Sequence, residues 1–501
     1  MKLWYFCRHH FQTPEFETVL AAAKQRYGGL FELTVFCPNS SYEVAEQLGV
    51  KIQGFVPISH NIRTALCEEF SLSYTAKNAL RSALESKNAP DAIVFPQGNA
   101  YAYYTVLDSY IESDFYAHLP VFIEPSSENS NTPPQYLLPY WWLHQQEDFC
   151  IKNSHGLVPE NCEDFVQLIK NVKANVFVPQ VFPFITVRPQ TFVPTSLENN
   201  EKGLLTVIIP YYNLGRTLPE TLKSAFESDY PKMEIILIND GSTDADSIRV
   251  LAEQRALYPN LRVIEQENKG LSYVRNLGMN ISKGEFLTYL DSDDIVASSY
   301  YSRCIKLLNQ YSNAGYVGSW LQLFEEGTDI VPYFCGSLPS LLLYNSQAPL
   351  CVSRKNLYAN FGQNKLQMKK GLEDHDAWLS LAENGWFGIM IPETLCNYRI
   401  SRGSMSAQFS RDITHEKHMQ LFETLQANHA ALYHEYQDEV YNLINCNGPG
   451  YLWNGTGITT GVPALSTRLA ALENEFNLAR NHIQNLENSR VFKLINKLKG
   501  R

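Results

Sequence analysis

No C-x-x-C pair occurs anywhere in the 501 residues, and the ten cysteines stand singly at Cys7, Cys37, Cys67, Cys150, Cys162, Cys304, Cys335, Cys351, Cys396 and Cys446. That pattern excludes a zinc ribbon and argues against a disulfide framework; reduced, buried thiols in a cytoplasmic protein are the expectation. No apolar run approaches the ~20 residues of a membrane-spanning helix, and the opening "MKLWYFCRHH" is too short for a secretory signal. Any membrane contact is then expected to be peripheral. A basic excess is also missing: 41 Lys and Arg face 52 Asp and Glu, for a net charge of −11. Nucleic acid is therefore not expected as a partner. What is present is a globular composition, 45% hydrophobic with 29 Tyr and 26 Phe. A chain of this length, at about 150 residues per domain, is expected to hold two to four domains.

The fold class expected is α/β. In residues 1–185, "KLWYFC", "FELTVFCP", "DAIVFP", "LPVFIEP" and "ANVFVP" are short apolar runs separated by helix-period segments such as "PEFETVLAAAKQRY". Alternation of this kind predicts a parallel, Rossmann-like sheet with crossover helices. Residues 186–203 lapse into Pro, Thr, Asn and charge and read as a linker. A second α/β domain is predicted over 204–410, where "LLTVIIPYYN", "MEIILINDGSTD", "LRVIEQ" and "GEFLTYLDSDD" alternate with helical stretches. In such sheets ligands collect at the carboxyl ends of the strands, so the polar residues there are the candidates.

Residues 411–462 read as a helical extension followed by a Gly-rich loop, and 463–501 as a coiled coil with a basic tail. Leu465, Leu469, Leu472, Phe476, Ala479, Ile483 and Leu486 alternate steps of four and three, a heptad seam that predicts homo-oligomerisation through 465–486. Beyond it, "SRVFKLINKLKGR" has five basic residues and no acid. As a helix it sets Val491, Leu494, Ile495 and Leu498 on one face, which suits an anionic membrane surface through 489–501.

Three carboxylates, Asp291, Asp293 and Asp294, crowd the end of "GEFLTYLDSDD". Asp291 and Asp293 in D-x-D spacing repel unless a cation lies beside them, and Mg²⁺ or Mn²⁺ holding a diphosphate is the natural one. The competing reading is an N-cap for a helix over "IVASSYYSRCIKLL". Asp240, just past the strand in "LINDGSTD", can accept from a nucleobase or a ribose; an Asx-turn is its alternative. Tyr211 and Tyr212 in "VIIPYYN" offer a face on which a base can stack, or are simply packed.

Taken in order, "TVIIPYYN", "IILINDGSTD", "NKGLSYVRNLGMNISKGEFLTYLDSDD" and "GLEDHDAWLSLAENGW" resemble the signatures of family 2 glycosyltransferases, inverting enzymes of the GT-A fold that use nucleotide sugars. The resemblance covers about residues 204 to 405. It implies a donor site of Pro210, Tyr212, Asp240, Arg275, Asp291, Ser292 and Glu373, a Mn²⁺ or Mg²⁺ ligated by Asp293 with Asp291, and Asp374 as catalytic base. It further implies a UDP-sugar donor, a hexosyl or N-acetylhexosaminyl group, and a glycan or lipid-linked acceptor in bacterial surface polysaccharide synthesis. An inverting transfer needs only one base, which fits a single carboxylate. Where many relatives read Y-R-x-H, this sequence has "NYRISRGSMS" with Ser401 at the His position. His375 is a substitute ligand to consider, and Arg399 and Arg402 are candidates to clamp the diphosphate.

Residues 1–185 are similar to the amino-terminal half of GT-B glycosyltransferases, which implies an acceptor-binding or scaffolding role. Arg8, His9 and His10, after the first strand, are candidates to meet an anionic acceptor. The alternatives are a bifunctional transferase with a second active centre, and a non-catalytic carbohydrate- or nucleotide-binding subunit. The expected location is the cytoplasm, or the inner face of the cytoplasmic membrane.

Overall fold

The computed structural model describes residues 1–39, 44–56, 68–85, 89–125, 140–175, 179–184, 200–336, 338–368, 371–401 and 415–447. The expected coiled coil, basic tail, Gly-rich loop, most of the linker and Arg402 lie outside them. Two mixed sheets organise what is described.

The first sheet has the order β3-β4-β2-β1-β5-β6, from β1 (Lys2–Phe6), β2 (Glu32–Pro38), β3 (Val44–Gln47), β4 (Val50–Phe55), β5 (Ala92–Pro96) and β6 (Val121–Glu124). Helices α1 (Pro14–Tyr27), α2 (Glu68–Glu85), α3 (Tyr103–Ile111), α4 (Ser113–Tyr116), α5 (Tyr140–Asn153) and α6 (Cys162–Ala174) accompany it. The start of α1 is written in its sequence: Thr13 Oγ1 accepts from Phe16 N and Pro14 takes the first helical position. The sheet is not wholly parallel, as was expected. β3 and β4 form an antiparallel hairpin, closed by Leu48 and Gly49 at φ 55° and 71°, the left-handed pair that a tight hairpin turn demands. The run "ANVFVP" adds no strand among the described residues: α6 continues to Ala174.

The second sheet has the order β11-β15-β12-β14-β10-β7-β8-β9, with β13 (Ile330–Val331) beside β12. Strands β7 (Glu201–Tyr211), β8 (Met233–Asp240), β9 (Leu261–Gln266) and β10 (Gly284–Tyr289) are the parallel set read from the sequence, and β7 begins inside the expected linker. Its eight consecutive buried residues, Leu204 to Tyr211, make it the centre of the layer. Pro210 pairs with Ile238 of β8 but lies beyond the last β10 pairing at Ile208, so its missing N–H leaves no gap on that side. The intervening helices are α7 (Leu218–Phe226), α8 (Ala245–Leu257) and α9 (Leu271–Ile281).

Beyond β10 the chain departs from the expected helix. Strand β11 (Ile295–Val296) comes first, and α10 (Tyr300–Gln310) starts only afterwards. The acidic turn therefore does not cap that helix, which removes the competing explanation for "DSDD". Strands β12 (Ala314–Glu325), β14 (Cys351–Arg354) and β15 (Phe387–Ile400) extend the sheet, with α11 (Leu338–Leu343), α12 (Lys355–Asn360) and α13 (Glu373–Glu383) packed around them. Gly388 is required in β15: a Cβ there would stand 2.0 Å from the Tyr316 ring, which stacks on Trp378 of α13 with centroids 4.3 Å apart.

One core runs through both sheets. Trp320 of β12, fully buried, meets Tyr74 of α2 at 4.7 Å and Tyr104 of α3 at 5.6 Å between ring centroids. Around these rings Arg81 pairs with Asp108 and Glu393, and Arg303 with Glu393 and Glu112. No described helix is long and apolar enough to cross a membrane.

Helices α14 (His415–Asn428), α15 (Ala430–Glu435) and α16 (Gln437–Asn447) follow β15. His429 fastens them to α13. Its Nε2 lies 3.1 Å from Asp376 Oδ1, and its Nδ1 lies 3.0 Å from Glu383 Oε1, off the hydrogen-bonding direction. Burial pushes the imidazole pKa down, but the two carboxylates outweigh it and hold the value above the usual one, despite Lys365 nearby. A raised folded-state pKa adds stability that is fully present below the unfolded value and is lost as pH rises through the folded one. His429→Gln is thus expected to lower the melting temperature more at pH 6 than at pH 9. Equal losses at both pH values would show that the ring is not charged in the fold.

Candidate active site

The site is built at the carboxyl ends of β7, β8 and β10. After β7, Tyr211 turns inward and donates its hydroxyl to Ser247 O at 2.7 Å, whereas Tyr212 is 46% exposed. Only Tyr212 therefore presents a free ring face. Asn213, at φ 52°, ties this loop to the next: its Oδ1 accepts from Thr243 N and Asp244 N, and its N donates to Ser242 Oγ. Gly241 has φ 71°, and a Cβ there would stand 2.9 Å from Asn268 N, so only glycine lets the two loops approach.

Asp240 is buried, and its carboxylate accepts from Gln266 Nε2 at 2.6 Å, Lys269 N at 2.8 Å and Gly270 N at 2.8 Å. It closes the loop that leads into α9. Of the four acceptor directions of a carboxylate, one remains for any other partner. Neither an Asx-turn nor an open donor contact alone describes this residue.

Arg275 on α9 is the hub. Its Nη1 lies 2.9 Å from Glu373 Oε1 and its Nη2 lies 3.1 Å from Asp291 Oδ1, with the guanidinium over the Tyr289 ring at 5.5 Å. Residues far apart in sequence, the first acid of D-x-D and the first acid of "GLEDHD", are thereby joined through one buried cation. Its Nε is buried with no protein partner.

The acidic turn runs from Asp291 to Asp294, closed by Asp294 N donating to Asp291 O at 3.0 Å. Ser292 is fully buried; its carbonyl accepts from Thr217 Oγ1 at 2.9 Å. Asp294 points inward, where Oδ1 accepts from Arg399 N at 2.9 Å and Oδ2 has no partner. Burial, then the charges of Asp293 and Asp291, lift its pKa well above the carboxylate range. Burial and Asp291 likewise push Asp293 up to about 6. Among the described residues no cation forms an ion pair with Asp293 or Asp294. Burial is the larger cause of both shifts, and repulsion among the three crowded carboxylates adds to it. A hard divalent ion fits this donor set. Among the described residues no cluster of three or more His, Cys, Asp or Glu could hold one, so the carboxylates would share it with phosphate or water oxygens, the mode Mg²⁺ favours.

Arg399 departs from expectation. Its Nε donates to Asp293 O at 2.8 Å, and its other nitrogens pair with Glu325 and Glu220, while Phe324 covers its face at 4.4 Å. The guanidinium braces the acidic turn from behind and is not available to clamp a diphosphate. His375 is corrected too. It is 1% exposed, its Nε2 faces Leu341 O, and burial pushes its pKa down to about 4. It does not serve as a substitute ligand in this arrangement. Ser401 is half-buried and the last described residue before a gap.

Asp374, the second residue of α13, is half-buried. Its Oδ1 accepts from His375 N and its Oδ2 from Asn345 Nδ2, both at 2.8 Å. Burial raises its pKa, against the lowering effect of His375 N–H, Arg275 and Asn345. Glu373, buried beside it, is also raised by burial and lowered by Arg275. Asn345, Thr217, Glu220 and Glu325 were not foreseen. Each acts through contacts with residues distant in sequence, and no local motif marks it.

Residues 206–375 match the family model "Glycosyl transferase family 2". The chain is 36% identical over 121 residues to "Glycosyltransferase GlyA" of Streptococcus pneumoniae, which is 24% of this chain and 17% of that protein. It is 24% identical over 213 residues to "Putative teichuronic acid biosynthesis glycosyltransferase TuaG" of Bacillus subtilis, covering 42% of this chain and 83% of that one. Among solved structures, the S. aureus TarS fragment 1–349 in complex with UDP aligns at 18% identity and a TM-score of 0.34, over 48% of this chain and 88% of that one. The chain carries a family 2 glycosyltransferase domain over residues 206–375, on the second sheet, and an α/β domain precedes it. It spans only 17% of the length of the streptococcal relative.

Proposed function

We propose that this chain is an inverting, metal-dependent glycosyltransferase that moves a hexosyl or N-acetylhexosaminyl group from a nucleotide donor, UDP first, to a glycan or lipid-linked acceptor in bacterial surface polysaccharide synthesis. The observation that carries the reading is the Arg275 bridge, which sets the D-x-D turn beside Glu373 and Asp374. The teichuronic acid assignment of a relative supports the pathway class.

In this reading Tyr212 stacks on the base and the loop fixed by Asp240 lines the nucleoside. Asp291 and Asp293 would hold Mn²⁺ or Mg²⁺, which when bound supplies a Lewis acid that offsets charge on the departing diphosphate. Asp374 takes the proton from the acceptor hydroxyl as that oxygen attacks the anomeric carbon from the face opposite the leaving group. Asn345 and His375 N–H hold both carboxylate oxygens and so fix the direction of the free lone pair. Burial raises the affinity of Asp374 for that proton. One base suffices because no covalent sugar intermediate forms.

Asp293→Ala is expected to weaken binding of the nucleoside diphosphate in Mn²⁺ or Mg²⁺ and to leave binding in chelator unchanged. Calorimetry under both conditions checks this; an equal loss with and without metal would rule out ligation through Asp293.

A further inference from the structure

The first sheet changes winding direction between β1 and β5: β2 and β4 lie on one side of β1, and β5 and β6 on the other. Crevices at such a point, outside the carboxyl ends of the strands, are where open α/β sheets place ligands. Here β1 leads into Cys7, Arg8, His9 and His10, and β5 into Gln97, Gly98, Asn99 and Ala100.

Two features distinguish this crevice. The first is its backbone. Gly98, Asn99 and Ala100 have φ of 120°, 55° and 52°, three successive residues in the left-handed region, two of them not glycine. Glu147 of α5 holds them there, accepting from Gly98 N at 3.0 Å and Ala100 N at 2.7 Å. Strain of this kind persists only where neighbouring structure enforces it, and it gathers at functional sites.

The second is Arg8. Its Nη1 would lie 3.2 Å from a Cβ at position 98, so the half-buried guanidinium rests against the one residue that leaves it room. Among the described residues it makes no ion pair and donates no hydrogen bond. Other half-buried or buried arginines are engaged: Arg26 with Glu124, Arg81 with Asp108, Arg303 with Glu393, and Arg354 with the carbonyls of Ala314 and Tyr311. A cation withdrawn from water without a partner is costly. Glu147 lies near enough for the Arg8 charge to lower its pKa, against the larger upward effect of burial, but it forms no ion pair with Arg8 and its oxygens accept from Gly98 N and Ala100 N.

We propose that the crevice between Arg8 and the 97–100 turn is an oxyanion site, which binds a phosphate or carboxylate carried by the acceptor. The planar guanidinium donates two parallel N–H bonds to such a group. Assignment to the acceptor rests on the glycosyltransferase reading, but the oxyanion site itself does not.

The test uses the full chain in EDTA, so that the acidic turn holds no metal, with inorganic phosphate and glucuronate as separate NMR-titrated probes. One or both are expected to saturate the wild type, and the probe that binds identifies the anion. Arg8→Gln is expected to weaken that binding by on the order of tenfold or more, the effect of losing a charge-assisted pair, and Arg8→Lys by less. Because Arg8 has no hydrogen bond or ion pair to abandon among the described residues, Arg8→Gln should melt as the wild type does. Nucleoside diphosphate binding with Mn²⁺ serves as a separate readout. If it is absent in both proteins while Arg8-dependent anion binding remains, the glycosyltransferase reading fails and the oxyanion site stands. Failure of both probes to bind the wild type, or equal binding by Arg8→Gln, would overturn the proposal.

Discussion

Asp374→Asn is expected to lower the transfer rate by at least ~10²-fold, the scale of general-base catalysis, and to leave affinity for the nucleoside diphosphate near that of the wild type. The asparagine keeps the size of the side chain and can still accept from His375 N, but it cannot take a proton. The two acids have different neighbours: Asp374 reaches Asn345 and His375 N, whereas Asp291, the acid proposed for the nucleotide side, is bound to Arg275. Calorimetry beside a steady-state assay checks the split. If nucleotide binding vanished together with transfer, Asp374 would be a donor ligand and its role as base would be wrong.

Arg275→Gln is expected to cost on the order of 3–5 kcal/mol of stability, the range for removing one partner of a buried ion pair, and to abolish tight donor binding. The guanidinium is 7% exposed and Glu373 is 8% exposed, so neither charge can fall back on water. Urea unfolding followed by circular dichroism measures the loss. The cause is tested by a second change: Glu373→Gln added to Arg275→Gln should recover part of the stability, because it removes a stranded carboxylate. If the double variant were less stable than the single one by the full cost of another lost contact, packing rather than charge would explain the effect.

The parts of the fold legible in the sequence are those specified locally. Continuous apolar runs ending at polar turns gave β7 to β10, and the helix-period segment "PEFETVLAAAKQRY" gave α1. Strands β12 and β15 were not read, because Gly315, Gly318 and Gly388 interrupt their apolar pattern, and the need for Gly388 arises from the Tyr316 ring in another strand; β14 has only four residues, two of them polar. The hairpin of β3 and β4 was missed because its strands are short and half polar. At the site, motif order gave the identities of Asp291, Asp293, Glu373 and Asp374, but their partners are tertiary. Nothing near Arg399 in sequence announces Glu220, 179 residues away, so its basic charge read as a phosphate clamp when it is a brace. His375 read as a substitute ligand because it stands beside Glu373 and Asp374; burial in the fold and Leu341 O occupy it instead. Asn345 carries no signal at all outside its 2.8 Å bond to Asp374.

The central claim is that the Arg275-linked acids activate a nucleotide sugar for transfer. The most direct measurement is release of nucleoside diphosphate from a panel of nucleotide sugars by the full chain with Mn²⁺, repeated in EDTA and with Asp293→Ala. The account predicts that one donor class, UDP-sugars first, is turned over by the wild type in Mn²⁺, and that chelator and Asp293→Ala both suppress the release. A folded wild-type protein that released nucleoside diphosphate from no donor on the panel, or released it equally well in EDTA, would contradict it.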